Sequence, residues 1–213
     1  MKIKAVLFDF DGVLAKTMEQ HFLAWKKALL DYGISIVEQD YYPLEGMKLS
    51  EVAETLFRRY GKSLPLYDEV VKKKINYYLE NNQCEIYPGV YETLELLEKK
   101  SILMGIVSAS VRPQLIRSVG SQFLERFDVI IYGDSTSRGK PFADPYLSAI
   151  ERLRLSTNEC VVVENAPLGI ESANAAGIFC IALCSTNKRE TLKHADIILD
   201  NFLALPQFFE QEI

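Results

Sequence analysis

Six short apolar runs rich in β-branched residues recur along the chain, at Ile3–Phe8, Ile102–Val107, Val129–Tyr132, Val161–Val163, Ile178–Leu183 and Ile197–Leu199. They lack polar alternation, so both faces of each run need cover, as in buried parallel strands. Amphipathic stretches lie between them: Val90–Lys99 after Pro88-Gly89, Pro145–Leu153, and Leu168–Ala176 ahead of Gly177, a glycine that suits a helix stop. Strand and helix in alternation predict an α/β fold with a doubly wound parallel sheet.

One segment breaks the alternation. From about Thr17 to Gln83 there are amphipathic helical stretches and no convincing strand, which predicts a small inserted helical cap. Its ends fall near the turn after Leu14 and near Tyr87-Pro88-Gly89, so residues 1–15 and 86–213 are expected to form the α/β core and residues 16–85 the cap. A chain of 213 residues has room for one such core and a modest insertion.

The formal net charge of -5 argues against a nucleic-acid or anionic-membrane footprint, which needs Lys and Arg in excess on one face. No apolar run approaches a membrane span, and Met1-Lys2-Ile3-Lys4 leads into a strand rather than a signal peptide, so a cytoplasmic protein is expected. Cys84, Cys160, Cys180 and Cys184 show no C-x-x-C spacing and read as reduced core thiols.

Chemistry concentrates in Phe8-Asp9-Phe10-Asp11-Gly12-Val13, where two carboxylates emerge from a buried strand. They would lie at its C-terminal end, the edge where open α/β sheets bind ligands. Two acids held together in a desolvated cleft repel, and a divalent cation relieves them. Oxygen ligands and an expected phosphate favour Mg²⁺. Gly12 would let the backbone turn sharply out of the strand. By itself a D-x-D-G can be an ordinary turn.

Three further polar groups close later apolar runs and would converge on the same edge. Ser108 opens Ser108-Ala109-Ser110, just before Arg112-Pro113, where exposed amides at a helix start could hold phosphate. Taken singly, Ser108 also fits a cap or turn. Lys140, in Gly139-Lys140-Pro141, could pair with an attacking carboxylate and with phosphoryl oxygens, although lone lysines are usually surface groups. Glu164-Asn165 follows Val161–Val163, and either side chain could complete a metal shell or hold its waters. Asn165 fits a helix cap equally well.

These four motifs, in this order and over nearly the whole chain, resemble the haloacid dehalogenase superfamily of phosphotransferases. Its first motif is matched by Asp9-x-Asp11-Gly12-Val13, its second by Ser108 and its third by Lys140 in Gly-Lys-Pro-x-x-Asp-Pro. Glu164-Asn165 with Gly169-Ile170 and Ala175-Ala176-Gly177 resembles the fourth. His21-Phe22-x-Ala24-Trp25-Lys26 and Lys74 are similar to the cap of the β-phosphoglucomutase-like branch, and imply a cap closing over a small phosphorylated metabolite. Two positions depart from that branch. Asn165 replaces an acidic metal ligand, and Glu45, in Leu44-Glu45-Gly46-Met47-Lys48, stands where sugar-phosphate mutases carry a lysine. Lys48 falls near the place of their second phosphate-binding cation. Together, Glu45-Gly46 and Glu164-Asn165-Ala166-Pro167-Leu168-Gly169 resemble a pyrophosphatase-like subset.

The resemblance implies an enzyme that uses Mg²⁺ held by Asp9, Asp11, Glu164 and Asn165. Asp9 would attack phosphorus to form an aspartyl-phosphate, Asp11 would protonate the leaving oxygen, and Ser108 and Lys140 would neutralise charge. Gly12, His21, Glu45, Gly46, Lys48, Lys74, Ala109, Ser110 and Arg112 would bind substrate. The expected activity is hydrolysis of a sugar phosphate or pyrophosphate by a monomer. A phosphosugar mutase and a non-catalytic phosphate-binding module are the alternatives.

Overall fold

The apolar runs pair side by side in one six-stranded sheet in which every pairing is parallel. A computed structural model of the protein describes residues 3–63, 67–81 and 84–212. The strands are β1 Ala5–Phe8, β2 Leu103–Val107, β3 Val129–Ile131, β4 Cys160–Glu164, β5 Phe179–Leu183 and β6 Ile197–Leu199. Their order is β3-β2-β1-β4-β5-β6. The chain winds outward from β1 through β2 and β3, then returns to β4 on the other side of β1. The reversal leaves a crevice at the C-terminal ends of β1 and β4, where ligands bind in such sheets.

Helices α1 Met18–Leu30, α2 Glu38–Tyr41, α3 Leu49–Arg59 and α4 Tyr67–Asn81 lie between β1 and β2. The others are α5 Val90–Lys99, α6 Arg112–Val119, α7 Ser121–Leu124, α8 Asp144–Leu153, α9 Pro167–Ala175 and α10 Leu205–Glu212. Successive strand residues point to opposite faces. Val6 and Phe8 therefore join a cluster with Leu94, Leu115 and Phe209 from α5, α6 and α10, while Ala5 and Leu7 join Ala149 and Ile170 from α8 and α9. The insert has an apolar cluster of its own, with Trp25, Leu29, Tyr41, Leu56 and Phe57 at its centre.

Element ends differ from the sequence reading by a residue or two. β1 begins at Ala5 rather than Ile3, and β3 stops at Ile131 rather than Tyr132. Ladder pairing, not hydrophobicity, sets those ends: Ile3 is still buried although it lies outside the strand. β4 extends one residue further at each end than expected, which places Glu164 in the strand itself. Where chain leaves and re-enters the core, Lys16 N–H donates to Glu85 O at 2.8 Å and Tyr87 N–H to Leu14 O at 3.1 Å. Gln83, where the helical stretch is expected to end, and the opening Met1-Lys2 lie outside the described residues. The four cysteines are free thiols, two of them buried. Among the described residues no helix is long and apolar enough to cross a membrane.

Candidate active site

β1 delivers Asp9 to the crevice. Its N–H donates to Val163 O of β4 at 2.9 Å, which fixes the backbone just beyond the strand. Lys140, in the loop after β3, reaches across the end of β2 with its ammonium between two carboxylates. Lys140 Nζ donates to Asp9 Oδ1 at 2.5 Å, Glu164 Oε1 at 2.6 Å and Val107 O at 3.0 Å. Its three N–H bonds are thereby used, and all three charged groups are buried.

Glu164 is held on every side. Oε1 also accepts from the Tyr146 hydroxyl at 2.8 Å, and Oε2 accepts the N–H groups of Asn165 at 2.9 Å and Ala166 at 3.3 Å. Gly169 on α9 gives it room, because a Cβ there would overlap the Glu164 carboxyl. Burial, then the charges of Glu164 and Asp11, push the Asp9 carboxyl well above its ordinary value against the pull of Lys140. Burial works against the Lys140 ammonium too, but Asp9 and Glu164 outweigh it and raise its pKa. One cation thus serves two acids, and removal of Lys140 would leave two buried carboxylates with no cation.

Asp11 faces the cap. Gly12, at φ +88°, turns the chain back so that Gly12 N–H meets Ala15 O at 2.8 Å, and a Cβ at Gly12 would overlap the Asn165 side chain. Thr17, just before α1, donates its hydroxyl to Asp11 Oδ1 at 2.6 Å. His21 Nε2 lies 2.8 Å from the same oxygen, and Oδ2 accepts from Ser110 at 2.8 Å and Ser108 at 3.2 Å. On its other side, His21 Nδ1 is 2.7 Å from Lys74 Nζ of α4. An ammonium has no acceptor, so Nδ1 accepts, Nε2 carries the proton, and His21 donates to Asp11.

Lys74 is fully buried between the rings of Trp25 and Tyr78, 5.8 and 5.2 Å from their centroids. Burial brings its pKa down to about 7, with Asp11 pulling the other way. Burial and then the Lys74 charge lower His21. Burial alone would raise Asp11, but His21 and the hydrogen bonds from Thr17 and Ser110 outweigh it and hold the carboxyl below its ordinary range. Asp11 is ionised in this closed form.

Glu45 does not point to solvent. It follows the turn Tyr42–Leu44 and reaches the core, where Oε1 accepts Asn165 Nδ2 at 2.6 Å and Oε2 accepts Asn187 Nδ2 at 3.0 Å. The Thr186 hydroxyl lies 3.3 and 3.2 Å from its two oxygens. Burial, opposed by the Asn165 hydrogen bond and reinforced by Asp9 and Glu164, puts its carboxyl well above the ordinary value. Gly46, at φ +90°, turns the loop above Lys140. Lys48 spends its ammonium on the core loop after β3, donating to Thr136 O at 2.6 Å and Ser137 O at 3.2 Å.

Asp9, Asp11, His21, Trp25, Glu45 and Ser110 line a narrow cavity of about 30 Å³, with Gly46, Ala109 and Glu164 also on its wall. That is room for water and not for a sugar. Arg112 is exposed at the first turn of α6 and is not part of this wall. Sequence reasoning missed Thr17, Tyr146, Thr186 and Asn187. Thr17 carries the signal of a helix cap but makes no cap bond. Thr186 and Asn187 follow β5, so the rule that polar groups collect at strand ends would have found them. Tyr146 gave only the general signal that a buried hydroxyl needs a partner.

Among the described residues no three Asp, Glu, His or Cys side chains converge as metal donors. The oxygen set is nevertheless suited to a hard cation, because one of its donors is an amide. Asn165 spends Nδ2 on Glu45 and Thr186, and its buried Oδ1 has no hydrogen-bond partner. Asp9 offers a second carboxylate oxygen that Lys140 does not hold, and a carboxylate with an amide oxygen is donor chemistry that fits Mg²⁺. Asp11 and Glu164, both expected as metal ligands, instead have both oxygens engaged by the protein.

Comparison with known proteins gives one consistent answer. Residues 6–183 match the model of the haloacid dehalogenase-like hydrolases. The chain is 29% identical over 202 residues to a validoxylamine A 7'-phosphate phosphatase of Streptomyces hygroscopicus subsp. limoneus, covering 92% of each chain. It is 30% identical over 182 residues to a phosphorylated carbohydrates phosphatase of Thermotoga maritima, covering 83% of this chain and 82% of that one. A β-phosphoglucomutase structure from Clostridium difficile superposes with a TM-score of 0.87 at 26% identity, covering 99% of this chain and 96% of that one. The protein belongs to the haloacid dehalogenase-like hydrolase family.

Proposed function

We propose that the protein is a magnesium-dependent phosphatase of a small, singly phosphorylated carbohydrate, working through an aspartyl-phosphate on Asp9. The observation that carries this reading is Lys140 gripping Asp9 Oδ1 and Glu164 together, with Asp11 across the same cavity. Lys140 leaves the second Asp9 oxygen to attack phosphorus in line and meets charge that develops on the phosphoryl group. Glu164 acts by holding Lys140.

Asp11 gives the leaving oxygen its proton, which comes from His21 Nε2 as Lys74 resupplies Nδ1. Asp11 then takes a proton from the water that hydrolyses the phospho-enzyme. Asp9 and Asn165 Oδ1 would hold Mg²⁺, whose charge would offset that of the phosphoryl oxygens. Residues 16–85 act as the cap that admits substrate and then excludes water.

Hydrolysis is favoured over mutase chemistry by the cap half of the cavity. Met18, Trp25, Tyr41, Leu44, Met47 and Val52 line it. Lys48 is tied to core carbonyls and Lys74 to His21, so among the described cavity-lining residues no free cation awaits the second phosphate of a sugar bisphosphate. Glu45, hydrogen-bonded on both oxygens, is not poised to hold a further metal against a diphosphate. The test is phosphate release with Mg²⁺ from hexose and pentose monophosphates, a sugar bisphosphate and pyrophosphate. Preference for a monophosphate, without isomer formation, is expected. Pyrophosphate as the best substrate, or a net isomerisation, would overturn the reading.

A further inference from the structure

An amide is a metal ligand only when its oxygen faces the metal, whereas a carboxylate serves with either end. Asn165 therefore needs something to fix which way its amide is turned. Thr186 cannot do so, since a hydroxyl donates or accepts. Glu45 accepts with both oxygens, Oε1 from Asn165 Nδ2 at 2.6 Å and Oε2 from Asn187 Nδ2 at 3.0 Å. With Glu45 in place the reverse rotamer would set oxygen against oxygen, so Nδ2 is committed and Oδ1 remains as the unpartnered buried acceptor. Asn187 braces both members, donating Nδ2 to Glu45 Oε2 at 3.0 Å and to Asn165 O at 3.1 Å.

Glu45 arrives from the inserted helices and Asn165 from the end of β4, so the contact exists only while the cap is down. We infer that Glu45 is a positioning residue for the metal centre: the cap carboxylate orients the Asn165 amide and makes Mg²⁺ binding and cap closure mutually dependent. An aspartate at 165 would need no such orientation and would meet Glu45 as acceptor against acceptor. Two features left apart by the sequence, a carboxylate on the cap and an amide in the core, form one donor–acceptor pair. By reciprocity, whatever closes the cap tightens the metal and the metal favours the closed cap.

The inference rests on the magnesium reading above, and calorimetric titration of Mg²⁺ into the full chain tests it without turnover. Glu45→Ala is expected to weaken Mg²⁺ by about 10-fold, the usual effect of losing a residue that orients a ligand. In an Asn165→Asp background the same change is expected to leave affinity unweakened. If Glu45→Ala does not fold, Glu45→Gln, which can present either end of its own amide, makes the same comparison with a smaller loss in the Asn165 background only. Equal weakening in both backgrounds would mean that Glu45 acts by charge alone, and unchanged affinity in the Asn165 background would mean that it does not act on the metal; either result overturns the inference. Failure of the unaltered protein to bind Mg²⁺ would instead remove the magnesium reading, and the inference with it.

Discussion

The two aspartates two residues apart on one loop live in different kinds of environment. Asp9 is surrounded by the core: Lys140 follows β3, Glu164 ends β4, and Tyr146 comes from α8. Asp11 is completed by the cap, through Thr17, His21 and, beyond it, Lys74 of α4. Sheet and flanking helices fix the first cluster whether or not the cap is down, while lifting the cap would take His21 and Lys74 from the second. On this account the nucleophile is permanently built and the acid is assembled on closure, which keeps proton delivery for the moment when water is shut out.

Breaking the core half should have the largest effect. Asp9→Asn puts a poor nucleophile at the point of attack and is expected to lower kcat by at least about 10⁴-fold with the fold retained. Steady-state phosphate release checks it, and appreciable activity in a clean preparation would remove Asp9 from its role. Lys140→Met leaves Asp9 and Glu164 facing each other with no cation. A loss of about 3–5 kcal/mol of stability is expected, with kcat down by roughly 10³-fold, read from denaturant melts and turnover of the same sample.

Changes in the cap half should be smaller and should carry a pH signature. Lys74→Met frees the His21 tautomer, and a fall in kcat of about 10²-fold is expected for sugar phosphates. Its effect on stability has a definite sign. Lys74 titrates at about 7 in the fold against 10.5 ordinarily, so the unfolded chain holds that proton more tightly. Stability supplied at high pH is lost as pH falls from about 10.5 toward 7. Relative to the unaltered protein, Lys74→Met should therefore gain on moving from pH 10 to pH 7, by an amount on the order of a few kcal/mol. Thermal midpoints of both proteins at the two pH values check this. A difference independent of pH would mean that Lys74 is not desolvated as described.

The smallest effect sharpens the assignment of Glu164. Gly169→Ala would push a methyl into the Glu164 carboxyl and, through it, shift Lys140. About a 10-fold loss of kcat is expected with KM little changed, since no substrate contact is touched. Rising KM at constant kcat would place the defect in binding instead.

The sheet was legible because its strands are buried on both faces, so hydrophobicity marks them without the help of alternation. Asp9 stood out because an acid directly after such a run has few structural uses, whereas Ser108, which also fits a cap or turn, and Lys140, in the loop beyond Tyr132, were legible only through the order in which the motifs follow one another. Glu45 and Lys48 were placed by likeness to a cap, and likeness does not say where a side chain turns. Glu45 reaches Asn165 across 120 positions of sequence, and Lys48 reaches Thr136 across 88. Such contacts depend on how the cap sits on the core, which no local pattern encodes. Glu164 was readable as an acid at the strand end, but its oxygens are taken by Lys140, Tyr146 and two backbone amides, partners that only the fold assembles.

The division of labour between the two aspartates is tested most directly by the leaving-group dependence of Asp11→Asn. General acid catalysis matters most when the departing oxygen is basic, so an alkyl or sugar phosphate should lose roughly 10²–10⁴-fold in kcat/KM. An activated aryl phosphate should lose less than about 10-fold, because Asp9, Lys140 and Glu164 are untouched. Equal losses on both substrates would contradict the account, for Asp11 would then belong to the same prebuilt machinery as Asp9.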